Sequence, residues 1–173
     1  MPINRPLSGD YPAYYENYIQ LTNGCNNLQE LISTFSQLII QFYTNLPIDK
    51  ENYSYEIGKW TPKDIMQHIM DTERIMVYRM LTFARSDNKN LPGFDEQWYA
   101  ERAMATTRTL KSLQDEFSFL RHATDCFLQS LTPESLSLSG TANNYPITVN
   151  AIGFIIFGHL LHHKKVLEEK YLQ

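Results

Sequence analysis

Apolar side chains recur every three or four residues over four long stretches, the spacing that lines one face of an α-helix. In the first, from Pro12 to about Asn45, the stripe is Leu28, Leu31, Ile32, Phe35, Leu38, Ile39 and Phe42. Asn23-Gly24 marks a bend or break near its start, and Leu46-Pro47 ends it, because a residue preceding proline resists the α region. The second helix has clear start chemistry. Thr61 is its N-cap, Pro62 suits the first helical position, and Asp64 completes a variant capping box. It runs to about Ala84 with a wide apolar arc of Ile65, Met66, Ile69, Met70, Met76, Val77, Met80 and Leu81, which predicts packing on more than one side. The third, about Thr107–Leu131, carries Leu110, Leu113, Phe117, Leu120, Thr124, Phe127 and Leu131. The fourth, Ala151–Tyr171, has Thr148 as its N-cap.

Between them the pattern breaks. Residues 1–10, with Pro2, Pro6 and Gly9, read as irregular. Residues 47–60 read as a connection with some extended structure at Tyr53-Ser54-Tyr55. Residues 86–97 form a loop turning at Pro92-Gly93, after which Asp95 caps a short helix through Ala103. Thr132-Pro133-Glu134-Ser135 is a cap and single turn, and residues 137–147 are a long connection. Both 47–60 and 132–147 exceed what an antiparallel helical hairpin needs; connections of that length can cross a bundle and join helices running the same way. The expectation is an all-α, four-helix bundle with at least one crossover connection, in a single domain over residues 1–173.

Against this background two polar residues stand out on the last helix. Its apolar arc is made by Ile152, Ile155, Ile156, Val166 and Leu167, and His159 and His163, one turn apart, sit in the middle of it. A buried imidazole without partners costs about 1–3 kcal/mol, and two stacked imidazoles do not easily satisfy each other. A divalent metal held by both would satisfy them at once. His68, at the flank of the second helix's arc, supplies a third nitrogen from a facing helix, as bundle metal sites do. Three neutral imidazoles with open positions suit Zn²⁺, and also Ni²⁺, Co²⁺ or Fe²⁺. His162 falls at the edge of the arc and reads as a surface residue; His122, beside Arg121, reads as solvated. Glu73 lies inside the second helix's arc and needs a partner, either Arg74, Arg79 or an arginine elsewhere. The methionines of that helix, and Cys25 and Cys126, read as core side chains. No separate general base emerges, since Asp64 and Asp71 lie away from the core side of their helix.

Composition narrows the function. The chain carries a formal charge of −4 with no basic stripe, which argues against nucleic acid as a partner. Two isolated cysteines make neither a disulfide framework nor a Cys-x-x-Cys site, so a reducing compartment, the cytoplasm, is the simpler expectation. No signal peptide and no membrane span are expected.

The segment WTPKDIMQHIMDTERIMVYRML at 60–81, with LPGFDE at 91–96, GFIIFGHLLHH at 153–163 and INRP at 3–6, resembles the DinB-like superfamily, especially its damage-inducible-protein and bacillithiol-transferase branch. The resemblance implies a four-helix bundle with crossovers, usually a homodimer, and a divalent metal on three histidines, here His68, His159 and His163. It implies a metal-dependent transferase that uses a low-molecular-weight thiol on a small-molecule substrate. The alternatives are a non-catalytic dimeric bundle whose metal, zinc or nickel, is structural or vestigial, and a metal-dependent hydrolase. The wide arc of the second helix also points to a dimer. Many similar sequences carry an acidic residue directly after the first histidine of the last helix, where this chain has Leu160.

Overall fold

The computed structural model describes residues 4–173. Its helices are α1 (Glu16–Leu21), α2 (Leu28–Thr44), α3 (Pro62–Ala84), α4 (Glu96–Ala103), α5 (Leu110–Gln129), α6 (Pro133–Ser137) and α7 (Val149–Lys170). The four long helices pack in the cyclic order α2, α5, α3, α7. Contacts along each pair give their directions. Gln114, near the start of α5, donates to the Leu46 carbonyl just past the end of α2 (3.2 Å), so these two run oppositely. Lys63 bonds the Thr106 carbonyl, Arg74 meets Glu116 and Glu73 meets Arg121, so α3 and α5 run the same way. Trp60 meets Tyr171, and His68 meets His159, so α3 and α7 run oppositely. Gly153 faces Leu28 and Tyr43 faces Leu160, so α2 and α7 run the same way.

The bundle therefore runs up, down, down, up. The sequence placed the crossovers at 47–60 and 132–147. Those segments instead join diagonal, oppositely directed helices, and the link between parallel neighbours is 85–109, which must return along the bundle and carries α4 on the way. The first predicted helix is in fact two. It breaks after Leu21, where Gly24 (φ 96°) leaves the α region, and Asn27 then caps α2 by accepting from the Glu30 amide. Arg5 seals the break by donating to the carbonyls of Ile19, Thr22 and Cys25.

Caps seen in the sequence hold at Thr61 (with its Asp64 box), Asp95, Thr132 and Thr148. The third helix starts later than expected, because Ala105–Thr107 forms a 3₁₀ turn and Thr109 becomes the cap. No strand forms at Tyr53-Ser54-Tyr55. Three strands form where loops were expected: β1 (Asn90–Leu91), β2 (Ser139–Ala142) and β3 (Tyr145–Thr148). β2 and β3 are an antiparallel hairpin pairing Ser139 with Thr148, and β1 adds parallel to β2. Asn143 and Asn144 have φ of 51° and 65°, the two left-handed residues a tight hairpin turn requires. The sheet lies close on the end of α3, since a Cβ at Gly140 would fall 2.1 Å from Phe83. It ties the loop before α4 to the entry of α7.

α7 is more deeply enclosed than an amphipathic stripe predicts. Val149–Leu160 is buried without interruption, and α1, α2, α3 and α6 all pack on it. Most of the α3 arc packs on this chain's own α4, α5, α7 and β2. Two apolar positions placed in stripes are open to solvent, Leu38 (44% exposed) and Leu81 (41%). Cys126, expected in the core, is exposed, whereas Cys25 is buried. Glu73 finds its partner in Arg121 of α5, at 2.8 Å and out of contact with water. Thr124 donates to the same carboxylate (2.6 Å), Asp125 takes the other arm of Arg121, and the guanidinium lies over Phe157. No helix among the described residues is long and apolar enough to cross a membrane.

Candidate metal centre

The centre is built by two capped helices running past each other. The Thr61 cap fixes the start of α3 and so sets His68 two turns in; the Thr148 cap does the same for α7, which presents His159 and His163. Their Nε2 atoms converge. His159 Nε2 lies 3.0 Å from that of His68 and 3.1 Å from that of His163. A neutral imidazole Nε2 carries either a proton or one lone pair. His159 Nε2 therefore cannot complete both contacts as good hydrogen bonds, and a cation among three lone pairs resolves the conflict. The donor set fits: three neutral, soft-to-borderline nitrogens of the kind Zn²⁺ and Ni²⁺ prefer. Among the described residues no fourth histidine, cysteine or carboxylate joins the group.

The surroundings enforce neutrality. Burial pulls His68 down to about 4, helped by the nearby His162. Burial pulls His159 and His163 well below the ordinary imidazole range, with neighbouring histidines adding to it. The Trp60 ring lies 4.7 Å from that of His68, and Tyr18 stands edge-on to His159 at 5.4 Å. Tyr18 reaches this position because Gly158 lets α1 approach, since a Cβ there would fall 2.1 Å from the Tyr18 carbonyl.

The sign of the pH dependence follows. An imidazole whose folded pKa is depressed contributes stability that is complete above its unfolded value of about 6.5. That stability is lost as pH falls through the folded value, about 4 for His68. Urea midpoints are expected to drop between pH 6.5 and 4, with any bound metal released over the same window. A flat profile there, with metal retained, would contradict three buried neutral histidines.

His162 is half-buried and reaches the rim of the centre, its ring 5.5 Å from Tyr18, so it is neither fully at the surface nor in the ligand group. His122 is exposed, as expected. Leu160 is buried in the core, and its carbonyl accepts from Tyr43 (2.7 Å). Asp64 is engaged in the cap, and Asp71 bonds Gln67, so neither serves the centre.

One functional candidate escaped the sequence reading. Glu96, first residue of α4, lines a small cavity of about 20 Å³ together with His159, Thr72 and Tyr18. Part of Glu96 is in solvent, yet its carboxyl pKa is raised by burial, with Asp95 adding to the shift. Thr72 Oγ1 is buried there without a hydrogen-bond partner. The only hint was its place after the Asp95 cap in LPGFDE. Gln97, the next residue of α4, lines a larger cleft of about 330 Å³ that reaches His163.

The sequence pattern of the DinB superfamily matches residues 33–167. Among solved structures, the chain is similar to "YfiT from Bacillus subtilis", described as a probable metal-dependent hydrolase with an unusual four-helix bundle topology. The two share 17% identity over 95% of this chain and 91% of that one, with a TM-score of 0.62, which shows a common fold. No curated protein matches the chain.

Proposed function

The chain belongs to the DinB superfamily, and from that footing we propose that it is a metal-dependent enzyme acting on a small-molecule substrate. His68, His159 and His163 are its metal ligands. The carrying observation is that, among the described residues, three protein nitrogens converge without a fourth ligand beside an open cleft. Structural zinc sites are closed by four protein ligands, whereas catalytic ones keep a position open. A divalent ion there would supply Lewis acidity and a nucleophile activated near neutral pH.

Water is the nucleophile the site favours first. The cavity beside His159 has about the volume one water needs, and Glu96 and Thr72 offer it an acceptor and a free hydroxyl. Glu96, though an exposed residue, has its carboxyl pKa raised by partial desolvation and by Asp95, which suits it to exchange a proton with that water. A hydrolase is therefore the first reading, in keeping with the description of YfiT. Transfer of a low-molecular-weight thiol is the second, favoured by the larger cleft, which has room for an organic nucleophile.

The test is metal content and turnover of protein made without a histidine tag. About one divalent ion per chain is expected, with hydrolysis of an ester, amide or phosphoester panel lost on chelation and restored by Zn²⁺ or Ni²⁺. Conjugation of a model electrophile only in the presence of a thiol would select the second reading. Metal-free protein that cannot be loaded would sink both.

A further inference from the structure

The cleft that opens on His163 has the walls of a site for an organic anion. Tyr55, Trp60 and Tyr171 give it aromatic lining, Ile65 and Val166 apolar lining, and His162 and His163 also line it. These walls are fixed in advance. The Tyr171 hydroxyl donates to the Trp60 carbonyl (2.6 Å), and the Tyr55 ring stands edge-on to that of Tyr171 at 5.2 Å. Ser54 Oγ reaches the carbonyls of both Glu56 (2.6 Å) and Lys59 (2.9 Å), bracing the segment that carries Lys59 and Trp60. A site rigid before its ligand arrives loses less entropy on binding.

The charge of the lining has one sign. Among the described residues that line the cleft, Lys59 is the charged one and no carboxylate is present. Of the other lysines, Lys63, Lys89, Lys111, Lys164 and Lys165 each face an acidic partner, and Lys50 lies over the Tyr53 ring. Three neutral imidazoles would also leave the charge of a bound divalent ion uncompensated beside His163. The apolar cleft thus offers positive charge at Lys59 and, with the proposed ion in place, at His163.

We infer that the cleft binds a small organic carboxylate with a planar apolar body, the carboxylate on Lys59 and Gln97, the body against Trp60 and its aromatic neighbours, and the reacting end toward His163. This rests on the metal-enzyme reading for the reacting end alone; the recognition of the anion is a property of Lys59 and the aromatic wall.

The probes are phenylacetate and its neutral isostere phenylacetamide. Binding is read by the fluorescence of Trp60 in a Trp98→Phe background, since Trp98 is exposed on α4 and does not line the cleft. Phenylacetate is expected to bind at least about fivefold more tightly than the amide, as a charge-assisted contact provides. Lys59→Gln is expected to abolish that preference without changing metal content, measured on the same samples. Equal affinities in the parent protein would overturn the inference. So would a preference that survives Lys59→Gln, which would mean the anion is held by the ion alone. A metal-free protein that keeps its Lys59-dependent preference would leave the anion site standing while the metal-enzyme reading fails.

Discussion

His159→Ala is expected to leave this protein without the proposed metal and without any turnover that depends on it. Of the three histidines, His159 is the one whose Nε2 lies within 3.1 Å of both others. Its removal leaves two nitrogens that no longer share a neighbour. Loss of an outer partner of a metal ligand typically costs about 10–100-fold in affinity, and loss of a central ligand is expected to cost more. Elemental analysis should show content falling to the level of chelated protein. Two comparisons isolate the effect. His122→Ala, on an exposed position of α5, should leave metal content unchanged. His159→Gln, which keeps more of the side-chain volume in a buried site, should fold with a similar circular dichroism spectrum and still lack metal. Unaltered metal content in either His159 variant would show that the centre lies elsewhere.

The second large effect concerns stability. Arg121→Ala is expected to destabilise the fold by about 3–5 kcal/mol, the usual cost of stranding one member of a buried ion pair. Arg121 and Glu73 are both out of contact with water, and Glu73 Oε2 already lacks a hydrogen-bond partner. Without the guanidinium, the Glu73 carboxyl retains Thr124 as a donor, and burial, which already raises its pKa, would drive it toward the protonated form. The double variant Glu73→Leu, Arg121→Met should recover much of the loss, because replacing a buried pair by apolar side chains of similar volume is often neutral. Urea denaturation of the two single variants and the double variant measures this as a coupling energy. A cost below about 1 kcal/mol for Arg121→Ala would place the pair among weak contacts.

Much of this architecture was legible because helices announce themselves locally. The Thr61, Asp95, Thr132 and Thr148 caps are each written within four residues, and the structure uses every one. The convergence of His68 with His159 and His163 was legible for a different reason, since imidazoles on an apolar arc are conspicuous. What depended on long-range geometry was not. Glu73 was seen to need an arginine, but only packing of α3 beside α5 selects Arg121 over Arg74 or Arg79. The strands were missed because each is four residues or fewer and half-exposed, with no long alternating pattern. Their signal was the Asn143-Asn144 pair, which suits left-handed backbone. Glu96 was missed because a charged residue in the first turn of a short helix ordinarily faces water. The path of 85–109 between parallel helices cannot be read from its length alone.

The sequence separation of the three converging histidines has a bearing on how the molecule is made. His68 and His159 are 91 residues apart, and α7, which carries two of the three nitrogens, must be threaded between α1, α2, α3 and α6 before they meet. No early fragment of the chain holds the site. An ion present during synthesis gains nothing from a partly folded intermediate and rewards only the completed packing. The metal would then act as a thermodynamic latch on the finished bundle, and its supply in the cell would set how long newly made chains remain in the closed form without guiding the route by which they reach it.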